Sequence, residues 1–187
     1  MEQLLKDLQG LTGYSQNDAE LLRQSAPVTR LWVDELAQAF YDTLYAYPPT
    51  QQILGEGQRA EREQTLRAWY LDVVSGEVTP RFWQRQWVVG LVHILRRVGN
   101  PYMLAMMSRA QTFFLGKCLE HWPDGRGEQV FGAFKRTTDV IAGLIAEGYF
   151  RNYVLAMERV AGFKLALIGR MMDLEVRKML EEARSGA

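Results

Sequence analysis

Proline placement constrains this 187-residue chain more than any other feature, because Pro27, Pro48-Pro49, Pro80, Pro101 and Pro123 punctuate it at intervals long enough for helices. Proline is tolerated in the first turn of a helix, where no N–H is needed, and breaks or ends one elsewhere. Between these breaks the apolar residues recur three and four apart, and no stretch sustains the period-two alternation of a half-buried strand. The expected class is all-α.

The segments follow in order. A lead helix spans Glu2 to Leu11, and polar capping candidates after Gly13 open a second from about Asn17 to Ser25. Pro27 suits the first turn of the next, whose inner face runs through Leu31, Val33, Leu36, Ala37, Phe40, Tyr41 and Leu44 until Pro48-Pro49 stops it. A short turn, Thr50 to Leu54, leads to a helix from Gln58 to about Ser75 with Thr65, Leu66, Trp69 and Val73 inward. Thr79-Pro80 caps the following helix, and Val98-Gly-Asn-Pro101 closes it and opens another, Tyr102 to about Trp122. That helix carries Met103, Met106, Met107, Phe113 and Phe114, a stripe that reads first as plain core or dimer interface. After the loop Pro123 to Gly127, a long helix starts at Glu128. No internal repeat is visible.

Composition then excludes several functions. Hydrophobic residues make up 48% and charged residues 24%, and the formal net charge is zero, which offers no footprint for nucleic acid or an anionic membrane. The single cysteine, Cys118, allows no internal disulfide and fits a reducing cytoplasm. The N-terminus lacks the basic and apolar regions of a signal peptide, and no uncharged run approaches the roughly 18 residues of a membrane span. Cys-x-x-Cys, His-Glu-x-x-His and phosphate-cradling glycine loops are missing, so zinc and nucleotide chemistry have no support. Glu56, Glu61 and Glu63, mixed with arginines, read as a solvated face. The expectation is a cytoplasmic protein with one domain over 1–150 and a helical extension over 151–187.

One of only two histidines, His93, lies in the apolar stretch Arg85-Gln-Trp-Val-Val-Gly-Leu-Val-His-Ile-Leu-Arg-Arg. A neutral imidazole on a rigid apolar helix is what a haem iron needs as an axial ligand, and one protein ligand leaves the sixth position open. Val89 and Gly90 lie one turn back and Arg96 and Arg97 one turn on. Gly90 would let a flat macrocycle approach the backbone, and an arginine beyond it would meet a propionate. Read alone, His93 reads first as a satisfied core histidine. His121, at a helix end beside Trp122-Pro123, reads as a dipole-complementing or solvated residue rather than a second axial ligand.

Phe40-Tyr41 before a proline-bounded turn, Gln64-Thr-Leu-Arg-Ala-Trp69, and Val89-Gly-Leu-Val-His93 followed by Arg97-Val-Gly-Asn-Pro101 occur in the order and at the separations of a known family. The chain over roughly 12–150 resembles the sensor globins, the globin domains of globin-coupled sensors and the related protoglobins. The resemblance implies a three-over-three globin fold, in its sensor-globin variant with a C-terminal helical extension, holding haem b. It makes His93 the proximal iron ligand and Tyr41 the residue facing the bound gas, with Thr65 on the distal helix. Phe40, Leu66, Trp69, Val89 and Leu91 become pocket or packing residues, with Gly90 and Arg97 beside the cofactor. Arg62, one turn before Thr65, departs from the aliphatic residue usual there and either swings out to a propionate or solvent or makes the pocket more polar.

A hydroxyl donor near ferrous haem favours dioxygen, whose outer atom gathers charge, over weakly polarised carbon monoxide. Tyrosine, with an ordinary pKa near 10, is protonated at neutral pH and can donate. A buried hydrogen bond to such an acceptor is worth about 1.5–3 kcal/mol. The implied function is a gas sensor or binder for O2, CO or NO, more a binder than a turnover enzyme. A haem enzyme such as a nitric oxide dioxygenase and a haem-free helical signalling domain are the alternatives, and the lack of a distal histidine counts against peroxidase chemistry. In the tail, Leu165, Ile168, Met171, Met172, Met179 and Leu180 point to burial against something, and homodimerisation through the last two long helices is the expectation the resemblance favours, with residues 151–187 also a candidate surface for a signalling partner.

Overall fold

Four helix starts coincide with a proline or a capping side chain, at Ser15, Pro48, Thr79-Pro80 and Pro101, and Pro27 falls at the end of a helix where a start was expected. The computed structural model describes residues 1–55, 57–162 and 164–185, without the side chains of Leu165, Ala166 and Ile168. Expectations placed on Glu56, Leu165 and Ile168 therefore fall outside the described residues. Among the described residues all regular structure is helical.

Helix α1 spans Glu2–Thr12 and ends on Gly13, whose φ of 72° lets its N–H turn back to the Gln9 carbonyl. Helix α2 spans Gln16–Thr29, and the Asp18 carboxylate accepts from the Ser15 N–H at 2.7 Å, closing its first turn. Pro27 lies inside the last turn of α2 instead of opening the next helix. Proline forgoes one helical hydrogen bond there, and the chain runs on through a 3-10 turn, Arg30–Trp32, into α3, Val33–Ala46. A 3-10 turn advances about 120° per residue, so the inner face shifts: Leu31, expected inside, is 75% exposed, while Leu36, Ala37 and Tyr41 are buried.

Pro48-Pro49 ends α3 and also begins α4, Pro48–Leu54, where an open turn was expected. Helix α5 spans Arg59–Val74 and α6 spans Pro80–Leu95, with the Thr79 hydroxyl accepting from the Phe82 N–H at 3.2 Å. Helix α7, Asn100–His121, is followed by α8, Arg126–Ala161, and α9, Leu165–Ser185.

The chain divides into two compact units, Met1–Tyr149 and Phe150–Ala187, with the division inside α8. In the first unit, Phe114 of α7 and Phe134 of α8 stack with centroids 3.8 Å apart, and Tyr70 of α5 meets both. All three are fully buried, and each contributes about 1.5–3 kcal/mol by leaving water. Asp18 is also buried and receives Arg136 Nε at 3.1 Å, tying α2 to α8. The second unit, taken by itself, carries Met157, Val160, Met171, Met172, Leu174, Met179 and Leu180 as exposed apolar residues. No helix among the described residues is long and apolar enough to cross a membrane.

Candidate functional site

Helices α3, α5, α6 and α7, with Thr50, Ile53 and Leu54 of α4 and Ile145 of α8, line a partly open cavity of about 280 Å³. Helix α3 supplies Phe40, Tyr41 and Leu44, and α5 supplies Arg62, Thr65, Leu66 and Trp69. Helix α6 supplies Val89, Val92, His93 and Arg96, and Met103, Met106 and Met107 of α7 complete the wall. Of the stripe expected as core or interface, Met103, Met107 and Phe114 are buried in the core, and Met103, Met106 and Met107 also border the cavity. Flexible thioethers fill irregular space, and here that space borders a void.

His93 makes no side-chain hydrogen bond among the described residues, and its Nδ1 is buried without a partner. Burial, reinforced by the Arg96 guanidinium, pushes its pKa down from 6.5 to about 4. The ring is therefore neutral at physiological pH, with a nitrogen lone pair free to bind a metal. Tyr41 is 8% exposed, and its hydroxyl is likewise without a partner among the described residues. Burial raises its pKa from 10.0 to about 12, against the opposing pull of Arg62 and Arg96. The phenol stays protonated and is an available donor.

Three of the expected neighbours stand elsewhere. Gly90 does not line the cavity, because its bare face is spent on α8: a Cβ there would lie 2.5 Å from Tyr149 N and 2.7 Å from Ile145 O. Arg97 is exposed and off the cavity, and Arg96 lines it instead. The helix ends between them: Arg97 adopts φ 55°, its N–H bonds the Ile94 carbonyl at 3.1 Å, and the Val98 N–H bonds the His93 carbonyl at 2.9 Å. This Schellman arrangement carries the chain away from the axis at the residue that turns left-handed. Leu91 is 40% exposed and lines nothing in the cavity.

Thr65 does border the cavity, but its hydroxyl is engaged with its own helix, donating to the Glu61 carbonyl at 3.0 Å. His121 is exposed and packs edge-on against Trp32 and Trp122, outside the cavity. Sequence reasoning missed Gln86, a buried residue whose carbonyl oxygen accepts from the Trp69 indole at 3.1 Å and ties α5 to α6. Its only signal is the spacing: Gln86 lies two turns before His93 on the same face.

Helices in this order around a histidine-bearing apolar cavity make a three-over-three globin of the sensor-globin variant, with a C-terminal helical extension. The Protoglobin family model matches residues 1–154, and the chain belongs to that family. It is similar to the solved globin domain of the Geobacter sulfurreducens globin-coupled sensor, at 23% identity and a TM-score of 0.72, over 77% of this chain and 96% of that one. At that identity the likeness speaks for the fold. No curated protein matches the chain.

Membership in a globin family implies haem binding, and the residues present fit the group. A neutral imidazole with an orphaned buried nitrogen opens onto a cavity lined mainly by aliphatic, aromatic and thioether groups. An apolar macrocycle carrying a Lewis acid satisfies both features.

Proposed function

We propose that this chain is a gas-binding globin with a sensing role, holding haem b through His93 and taking O2 beside Tyr41. The observation that carries the reading is that His93 and Tyr41, each without a hydrogen-bond partner, line one cavity from two different helices. Haem iron, when bound, supplies the position at which a diatomic gas coordinates.

The chain supplies the rest. His93 stays neutral through burial and can hold the metal without first losing a proton. Tyr41 keeps its proton through burial and donates toward a polarised diatomic. Such a hydrogen bond is worth about 1.5–3 kcal/mol, or about ten- to a hundredfold in affinity, and acts far less on weakly polarised carbon monoxide. The methionines and leucines on the walls give the cofactor an apolar surface to lie against. The solved relative is the globin domain of a sensor, and the signal here would pass through the second unit. Its exposed apolar residues, with Val160 at 90% and Leu174 at 66%, suit a second copy of the chain, which makes a homodimer the favoured assembly.

The test is the absorption spectrum of the purified chain in ferric, ferrous, oxygenated and carbon monoxide forms, with His93→Ala and Tyr41→Phe alongside. Haem loss in His93→Ala and a faster oxygen off-rate in Tyr41→Phe are expected. A colourless protein after reconstitution with haemin overturns the reading, and sustained nitric oxide turnover would make the chain an enzyme instead.

A further inference from the structure

Arg62 is a buried cation on the cavity wall for which no described residue supplies a counter-charge. It is 7% exposed, its Nε is buried without a partner, and its hydrogen bond within the chain runs from Nη2 to the neutral Gln58 side chain at 2.8 Å. Among the described residues no carboxylate lies within ion-pair distance of it. The acid that Tyr41 senses, Glu63, is already held by Arg59 at 2.7 Å and Arg67 at 3.2 Å. A guanidinium cannot discharge by losing its proton, so burying one unpaired is strongly unfavourable. Tyr41 lines the same cavity with a free hydroxyl, and Arg96 adds a second positive charge to its wall. The charged groups lining this void are therefore both cationic, with no carboxylate among its lining residues to balance them.

We propose that Arg62 and Tyr41 form an anion-binding site within the cavity, which takes a small inorganic monoanion such as fluoride, azide or nitrite. The guanidinium Nε–H and the phenol O–H both donate to the anion, and the charge-assisted bond from Arg62 is the stronger. The cavity would then distinguish a small anion from a neutral diatomic by one side chain, Arg62. The proposal extends the haem reading, but its first test does not depend on it.

That test follows thermal unfolding of the full chain, free of haem, across a series of azide and nitrite concentrations, with ionic strength held by a bulky sulfonate salt. A saturable rise in wild-type Tm, on the order of 5 °C at a hundred times Kd, that is missing from Arg62→Met and partly restored in Arg62→Lys is expected. An equal rise in Arg62→Met, or none in the wild type, overturns the proposal. In the haemin-loaded ferric protein, Arg62→Met should lose at least tenfold more affinity for fluoride than the ferrous form loses for carbon monoxide. Unchanged fluoride affinity with faster haem loss would assign Arg62 to a propionate and overturn it. A chain that takes up no haem refutes the haem reading, while the anion-dependent Tm still decides the role of Arg62.

Discussion

Gly90 of α6 and Gly148 of α8 pack backbone against backbone. A Cβ on Gly90 would stand 2.7 Å from the Gly148 carbonyl carbon, and one on Gly148 2.7 Å from the Trp87 carbonyl oxygen. Neither neighbour is a side chain that can swing away, so one methyl must push two helices apart. Gly90→Ala is expected to destabilise the chain by about 1–3 kcal/mol, as overpacking does. Gly116 of α7 is the control: nothing lies within 4 Å of its added Cβ, and Gly116→Ala should stabilise by up to about 1 kcal/mol. Urea midpoints of the two variants shifting in the same direction would contradict this packing. His93 lies one turn beyond Gly90, so Gly90→Ala should also loosen the hold on haem.

Removing the same oxygen from two buried tyrosines should have opposite consequences. Tyr70 donates to the Thr29 carbonyl at 2.7 Å and is fully buried, so Tyr70→Phe strands that carbonyl and costs about 1–3 kcal/mol. The Tyr41 hydroxyl has no partner to strand, and Tyr41→Phe should change stability by less than about 0.5 kcal/mol. Its effect belongs in the gas off-rate, which is expected to rise about ten- to a hundredfold. Equal losses of denaturation free energy in the two variants would show that Tyr41 serves the fold.

Arg97 holds a left-handed conformation that glycine adopts without penalty. It closes the Schellman turn behind His93, so Arg97→Gly should keep the two hydrogen bonds and relieve strain, raising stability by about 0.5–1 kcal/mol. Arg97→Val, β-branched at the same φ, should lower it. Thermal melts of the pair that reverse this order would place the turn geometry in error.

Cys118 is fully buried, and desolvation pushes its pKa up from 9.0 to about 12. The fold thus favours the neutral thiol, and above pH 9 the unfolded chain loses a proton that the folded chain keeps. The contribution to stability is complete below about pH 9 and disappears as pH rises through 12. The expected outcome is a urea midpoint that falls on that alkaline limb in the wild type and falls less in Cys118→Ala. A thiol-specific dye should label native protein at pH 8 far more slowly than protein in urea.

Much of the helical plan was legible in the sequence because its causes are local. Thr79-Pro80 starts α6, Gly13 stops α1, and the period of Leu36, Ala37 and Tyr41 marks the buried face of α3 without reference to any other helix. His93 and Tyr41 could be singled out for the same reason: each follows from residue type on an apolar helical face, and a family pattern pairs them. Pro27 shows the limit of such signals. A proline near a helix end reads as a start, yet whether the chain breaks there depends on what the following turn packs against.

Only the tertiary structure decided which face of each helix meets the cavity and which meets a neighbour. Gly90 and His93 share a helix face by spacing, yet the approach of α8 claims Gly90 while the void claims His93. Arg96 and Arg97 are adjacent and alike in sequence, and a left-handed turn at the second puts only the first on the cavity wall. Met103, Met106 and Met107 look the same whether they fill a core or border a void. The burial of Arg62 without a counter-charge is a property of the elements around it: composition and periodicity record which groups a chain carries, but a missing partner becomes visible only when distant segments pack together.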